Sequence, residues 1–182
     1  MRAFVGVDLP GDAKDVLAAF IDRLRAAAPE AKWVPRDNLH LTLAFLGEVG
    51  EERGAEIGDA LRVAASGLPG PIPTQVHGAG AFPSARRARV VWAGLLDGEG
   101  RLAALAHRMR ATLEPIGFPP ESRSWKPHLT LARFRTPGDA STLVTASPEE
   151  VSFIVSDVTL FRSRLARPAP TYEPMGRFPI GG

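Results

Sequence analysis

Two four-residue stretches of the 182-residue chain are identical: His40-Leu41-Thr42-Leu43 and His128-Leu129-Thr130-Leu131, 88 positions apart. They use two of the four histidines. Repetition of this kind reads as two halves of one site. On a strand, alternate side chains share a face, so His40 and Thr42 point one way while Leu41 and Leu43 point the other. Two such strands facing each other would gather two imidazoles and two hydroxyls around one small cleft, with four leucines anchored in a core. An imidazole with an unperturbed pKa near ~6.5 is neutral or protonated at working pH, so an opposed pair can divide acid-base labour. The hydroxyls can donate hydrogen bonds to a non-bridging oxygen where negative charge develops in phosphoryl transfer.

Phosphate esters of RNA suit such a site, because departure or attack of a ribose oxygen needs proton transfer at both ends. Arginine outnumbers lysine nineteen to three, which favours forked recognition of phosphate. Arg86, Arg87 and Arg89 form one cluster, Arg123, Lys126, Arg133 and Arg135 surround the second motif, and Arg162, Arg164 and Arg167 form a third. Arg133, just past the second motif at a strand end, is the candidate for a phosphate or ribose contact, with surface salt bridging as its plainer role. Phe82 and Trp92 could stack on a base, and burial in the core explains either one equally well. Phe45 falls on the leucine face by parity, which predicts core packing. His107 reads as a surface histidine, and His77 as one near the cleft rim.

Other chemistries lack their residues. There is no cysteine, so neither disulfides nor thiolate catalysis is available. No His-Glu-x-x-His stretch or third ligand accompanies the paired histidines, so no metal is expected. Gly78-Ala79-Gly80 lacks the third glycine and following helix of a dinucleotide loop, and no cofactor is expected. No apolar run approaches twenty residues, and the chain starts on the strand-like Phe4-Val5-Gly6-Val7 with no signal core. The expectation is a cytoplasmic monomer with no membrane segment.

The elements that must position the motifs follow from periodicity. A strand is predicted over 3–9, then a helix capped by Asp12 and running to about Ala28, with Val16, Leu17, Phe20, Ile21 and Leu24 on one face. Trp33-Val34 is a short strand. The first motif strand runs from Leu39 to Leu46 and is stopped by Gly47. A helix from about Glu51 to Ser66 turns Ile57, Ala60, Leu61 and Ala64 inward. Strands follow at 72–79 and 88–96, then a helix from about Gly98 to Leu113 burying Leu102, Leu105, Ala106, Met109 and Leu113. The second motif strand opens after Pro127 and reaches about Phe134. A polar linker leads to one long strand over 150–162 and a last one over 171–178. Three helices and about eight strands without strict alternation predict an α+β fold, one domain over residues 1–182 built of two similar lobes.

With the motifs on strands, the chain resembles the two-histidine (2H) phosphoesterases, and among them the bacterial and archaeal RNA 2′,3′-cyclic phosphodiesterases, also called 2′-5′ RNA ligases. The likeness covers nearly the whole chain. It rests on Arg2-Ala3-Phe4-Val5, Trp33-Val34-Pro35 ahead of His40 to Gly47, Val90-Val91-Trp92-Ala93-Gly94, Lys126-Pro127 ahead of His128 to Arg133, and Leu160-Phe161-Arg162-Ser163 with Tyr172. The resemblance implies a bilobal fold with pseudo-two-fold symmetry, two antiparallel sheets facing a central cleft, and helices outside. It implies metal-independent opening of a 2′,3′-cyclic phosphate at an RNA end to a 2′-phosphate, with 2′-5′ ligation as the reverse direction. It makes His40 the proton donor to the departing 3′ oxygen, His128 the acceptor that activates water, and Thr42 and Thr130 the holders of phosphate oxygens. Two other functions compete: a non-catalytic RNA-binding module that has kept the cleft, and the same chemistry on a small nucleotide such as ADP-ribose cyclic phosphate.

Overall fold

The computed structural model describes residues 1–120, 124–167 and 169–181. Arg123 of the second basic cluster lies outside them. The first elements are β1 (Arg2–Asp8), α1 (Gly11–Arg25), β2 (Lys32–Trp33), β3 (His40–Glu48) and α2 (Gly54–Ser66). There follow β4 (Ile72–Phe82), β5 (Ala88–Leu96), α3 (Arg101–Leu113) and β6 (His128–Gly138). The chain closes with β7 (Ser152–Val155), β8 (Asp157–Arg164) and β9 (Thr171–Pro179). The fold is α+β as expected, and it has the apolar stripes that periodicity predicts. Ala13, Leu17, Phe20, Ile21 and Leu24 are buried on α1, and Leu102, Leu105, Ala106, Met109 and Leu113 on α3. Asp12 is not the cap: α1 begins at Gly11 after Pro10, and Asp12 sits in the first turn, accepting from the Ala13 N–H at 2.8 Å.

The sheet has two four-stranded halves, β3-β1-β8-β9 and β6-β5-β4-β7, antiparallel throughout, with β2 added to β6. They join where β3 meets β6, at Leu41 opposite Leu129. The inner strand pairs of the two halves are related by about the same offset as the motifs, β1 with β3 matching β5 with β6. One apolar cluster unites Leu41, Leu43, Leu129 and Leu131, each at most 1% exposed, with the buried stripes of all three helices. Phe4 and Phe161 are also buried but lie outside that cluster, because they belong to the opposite face of the sheet.

Three strand expectations needed correction, each for a reason of register. Gly47 does not stop the first motif strand. It sits inside β3 opposite Ala3, at φ 70°, a backbone conformation that glycine adopts without Cβ strain. Leu43 has no partner on β1, since Gly6 pairs with Thr42 and Val5 with Ala44. Such a bulge bends the strand and shifts side-chain parity, so Ala44 turns inward and Phe45 outward, 54% exposed. Core packing of Phe45 is therefore wrong. The long strand over 150–162 is two strands broken at Ser156, with β7 pairing β4 and β8 pairing β1 in the other half. Residues of the apolar core cluster switch there from odd to even positions, Phe153 and Val155 and then Val158 and Leu160, which is a one-residue slip of face.

Both motif strands carry this bulge at the same place. On β6, Leu131 is unpaired between Thr130 opposite Trp92 and Ala132 opposite Val91. The carbonyl of Leu131 accepts from the Val34 N–H at 2.8 Å, and that of Leu43 from Arg110 Nε at 2.8 Å. Each displaced backbone oxygen thus keeps a donor, as a buried carbonyl requires.

The close approach of β1 to β3 depends on Gly6, where a Cβ would lie 2.6 Å from the Leu41 carbonyl oxygen and 3.6 Å from the His40 ring. Gly6→Ala is expected to lower stability by about 1–3 kcal/mol through this backbone clash, seen as a lower urea midpoint with an unchanged slope. Gly54→Ala, where nothing lies within 4 Å of the added carbon, is expected to change the midpoint by less than about 1 kcal/mol equivalent.

Candidate active site

The Leu41–Leu129 pair places the chemistry. Its two leucines face the core, so His40 and Thr42 on one strand and His128 and Thr130 on the other flank it on the opposite face. Ideal strand spacing sets the two histidine Cα atoms on a diagonal of roughly 8 Å. All four sequence-predicted motif residues are partly exposed on this face.

Each imidazole is held the same way. His40 Nδ1 lies 2.7 Å from the Asn38 carbonyl oxygen, and His128 Nδ1 lies 2.7 Å from that of Lys126. A carbonyl oxygen only accepts, so Nδ1 carries the hydrogen in both rings. That leaves Nε2 of each ring as the working atom, a base when the ring is neutral and an acid when it is charged. In the first motif, Nε2 lies 2.9 Å from Thr42 Oγ1 and accepts from its hydroxyl. The backbone of that motif is braced by Trp125, whose Nε1 donates to the Thr42 carbonyl at 3.0 Å.

The surroundings of the two rings differ. His40 packs on Phe4 at 4.7 Å between centroids and meets Tyr172 edge-on at 5.1 Å, and Phe4 in turn stacks on Phe161 at 4.9 Å. His128 meets Phe82 edge-on at 5.1 Å, with Trp92 at 6.5 Å. Phe82 and Trp92 touch each other at 5.2 Å and are half-buried, so both form one wall of the site and neither is lost in the core. The indole lies where a side chain at position 80 would stand, which accounts for Gly80. Asp8 pairs across the strands with His40, while the matching position beside His128 is Gly94. Asp8 itself is bound by Lys14 at 2.7 Å and Arg177 at 3.0 Å.

Arg133 follows the Leu131 bulge and is exposed between buried Ala132 and Phe134. The parity shift that exposes Phe45 brings Arg133 to the histidine face. Its charge reaches both halves: it disfavours the protonated forms of His40 and His128, and it partly offsets the burial that raises the Tyr172 hydroxyl above its ordinary value. Burial is the stronger influence on the imidazoles: it pulls His40 down to about 4, against opposing support from the Asn38 carbonyl and Asp8. Burial lowers His128 as well, opposed by the Lys126 carbonyl. Both rings are therefore neutral at pH 7 in the free protein.

The remaining candidates stand apart. His77 is exposed and bound to Glu150 at 3.1 Å, and His107 is exposed on α3. Arg162 and Arg164 pair with Glu51 and Glu173. Among the described residues, no group of three or more His, Cys, Asp and Glu could hold a metal ion. No helix among them is long and apolar enough to cross a membrane. Sequence reasoning passed over Asn38, Lys126 and Asp8, whose parts are played by backbone oxygens or by cross-strand register, and neither leaves a residue-type signal.

Comparison with known proteins agrees with the motifs. A model of the 2′-5′ RNA ligase superfamily matches residues 13–167. An RNA 2′,3′-cyclic phosphodiesterase of Methanothermobacter thermautotrophicus is 36% identical over 98% of this chain and 98% of its own length. That of Escherichia coli K12 is 34% identical over 98% and 96%. Among solved structures, TT0787 of Thermus thermophilus superposes with a TM-score of 0.82 at 30% identity, covering 100% of this chain and 99% of that one. Escherichia coli LigT complexed with 3′-AMP gives 0.77 at 31% identity, covering 100% and 98%.

The burial of His40 has a thermodynamic consequence. Its folded pKa of about 4 lies below the ordinary 6.5, so between these values the unfolded chain binds more protons and stability falls as pH drops through that window. The loss is expected to reach up to roughly 3 kcal/mol. His40→Gln should flatten the dependence of the urea midpoint between pH 6.5 and 4. An identical slope in variant and parent would contradict the burial account.

Proposed function

The chain belongs to the 2′-5′ RNA ligase superfamily, and from that premise we propose that it opens 2′,3′-cyclic phosphates at RNA ends to 2′-phosphomonoesters. The observation that carries this reading is the pair of imidazoles clamped at Nδ1, flanking one cross-strand leucine pair, which leaves Nε2 for proton transfer, with Arg133 acting on both. Relatives named RNA 2′,3′-cyclic phosphodiesterase at 34–36% identity support the activity.

In this mechanism the cyclic phosphate sits between the imidazoles. Neutral His128 takes a proton from water at Nε2 as the water oxygen bonds to phosphorus. The bond from phosphorus to O3′ breaks on the opposite side, and His40 gives its Nε2 proton to that oxygen. The 2′ oxygen stays bonded, so the product is a 2′-monoester, and the two histidines have exchanged protonation states. Thr42 and Thr130 donate to the non-bridging oxygens, and Arg133 offsets the charge that grows on them. Because His40 is neutral in the free protein, it takes up its proton from solvent as the substrate binds. The phosphate anion restores the proton affinity that burial removes, and it draws the Thr42 hydroxyl away from Nε2. A 5′-hydroxyl in place of water turns the same steps into 2′-5′ ligation. The substrate is an oligonucleotide end acted on by a single copy of the chain, with Phe82 and Trp92 contacting its nucleosides.

His40→Ala and His128→Ala are each expected to lower turnover of a 2′,3′-cyclic nucleotide by at least ~10²-fold, with activity retained in excess chelator. Full activity in either variant would remove the two-histidine mechanism. The assignment of roles has its own check in a cyclic substrate with sulfur in place of O3′. A thiolate leaves without a proton, so sulfur should restore most of the rate of His40→Ala and little of that of His128→Ala; the reverse pattern would exchange their roles.

The pH profile is a separate test. Both imidazoles titrate below their ordinary range, and the reaction needs one charged and one neutral, so kcat/KM should fall as pH rises above about 6.5. A profile flat from pH 5 to 8 would contradict it.

A further inference from the structure

The two motif tetrapeptides are identical, so whatever distinguishes the acid from the base lies outside them. Asp8 is the nearest such difference. It closes β1 and pairs across the strands with His40, whereas Gly94 holds the matching place beside His128. Phe4, Gly6 and Asp8 alternate along β1 with Val5 and Val7 of the apolar core, which puts the Asp8 side chain on the histidine face. Both ring nitrogens of His40 already have partners, Nδ1 at the Asn38 carbonyl and Nε2 at Thr42. What Asp8 supplies is a fixed negative charge.

That charge is held in place from two sides. Lys14 of α1 lies 2.7 Å from one carboxylate oxygen and Arg177 of β9 lies 3.0 Å from the other. Arg177 also reaches Asp157 of β8 at 4.0 Å. The Lys14 and Asp8 side chains are 12% and 26% exposed, so solvent screens their fields less than those of a surface pair. The other titratable groups around His40 are Arg133 on β6, the phenol of Tyr172 on β9, and His128 across the Leu41–Leu129 pair. Asp8 favours the charged ring, while Arg133 and Lys14 oppose it. Among the described residues, the charge that acts on His128 is that of Arg133. One imidazole thus has an anion in its field and the other does not.

We propose that Asp8 is the positioning residue that lets the buried first-motif imidazole serve as proton donor, its carboxylate locked opposite His40 by Lys14 and Arg177. On the cyclic-phosphate reading, on which this inference rests, the donor must carry a proton that its burial opposes. A carboxylate across the strand offsets part of that cost, and it does so in the first motif alone. The histidine that activates water must stay neutral, and Gly94 leaves it without such an anion.

The test sets Asp8→Asn against Lys14→Gln. Each breaks the same ion pair, so mere loss of structure would lower activity in both. Loss of the two charges acts in opposite directions. At pH 7, above the titration of both rings, kcat/KM for a 2′,3′-cyclic nucleotide is proportional to the share of His40 that carries a proton. Asp8→Asn should lower it by about three- to thirtyfold, and Lys14→Gln should raise it. Asp8→Glu keeps the charge and should keep most of the rate. With sulfur in place of O3′ the leaving group needs no proton, so Asp8→Asn should turn over that substrate as the wild-type protein does. A loss in both Asp8→Asn and Lys14→Gln, or an equal loss on the oxygen and sulfur substrates, overturns the inference and leaves the cyclic-phosphate reading intact. A wild-type protein that opens neither substrate overturns both.

Discussion

The site depends on one backbone contact, the meeting of Leu41 and Leu129 where the two halves of the sheet join. Strand alternation does the rest. The four motif leucines, at 0–1% exposure, must remain in the core, so the histidines next to Leu41 and Leu129 cannot leave the opposite face. A slip of one residue would carry both imidazoles into the apolar interior and bring four leucines to the surface. Fold stability and the meeting of the two rings are thus held by the same residues, and the Nδ1 clamps on the Asn38 and Lys126 carbonyls fix which nitrogen faces the cleft.

Electrostatics then sets the working state. Burial removes the proton from both rings in the free protein, and the positive charge of Arg133 acts in the same direction. A cleft that disfavours its own cations is well suited to an anion, because an arriving phosphate supplies the negative charge that a buried imidazolium needs. The near symmetry of the halves is broken around the rings, not within the motifs. Asp8 stands beside His40 where Gly94 stands beside His128, and the aromatic neighbours differ. That asymmetry gives two identical tetrapeptides different surroundings, as the proposed opposite proton transfers require.

Much of this was legible in the sequence, and the rest was hidden for identifiable reasons. The repeated tetrapeptide and the period-two rule located His40, Thr42, His128 and Thr130 on one face; the stripe of α3 could be read residue by residue, and that of α1 except that Ala13 is buried and Val16 only half-buried. Parity failed at Phe45 because it assumes an unbroken ladder, whereas Leu43 bulges out of register with β1. The same irregularity at Leu131 brings Arg133 to the cleft, a placement the end of a strand permits but the sequence does not require. The break at Ser156 was available as a switch in core parity from Phe153 and Val155 to Val158 and Leu160, hidden inside a continuous run of strand-forming residues. Contacts made by backbone oxygens, such as those orienting the imidazoles, depend on chain path and leave no trace in residue type.

The most direct measurement of the central claim is phosphorus NMR of a 2′,3′-cyclic nucleotide mixed with the metal-free protein in oxygen-18 water. Two imidazoles working from opposite sides of one phosphorus should yield a 2′-monoester alone, carrying a single heavy oxygen on phosphorus. A 3′-monoester, a mixture of the two isomers or an unchanged cyclic phosphate would contradict the account.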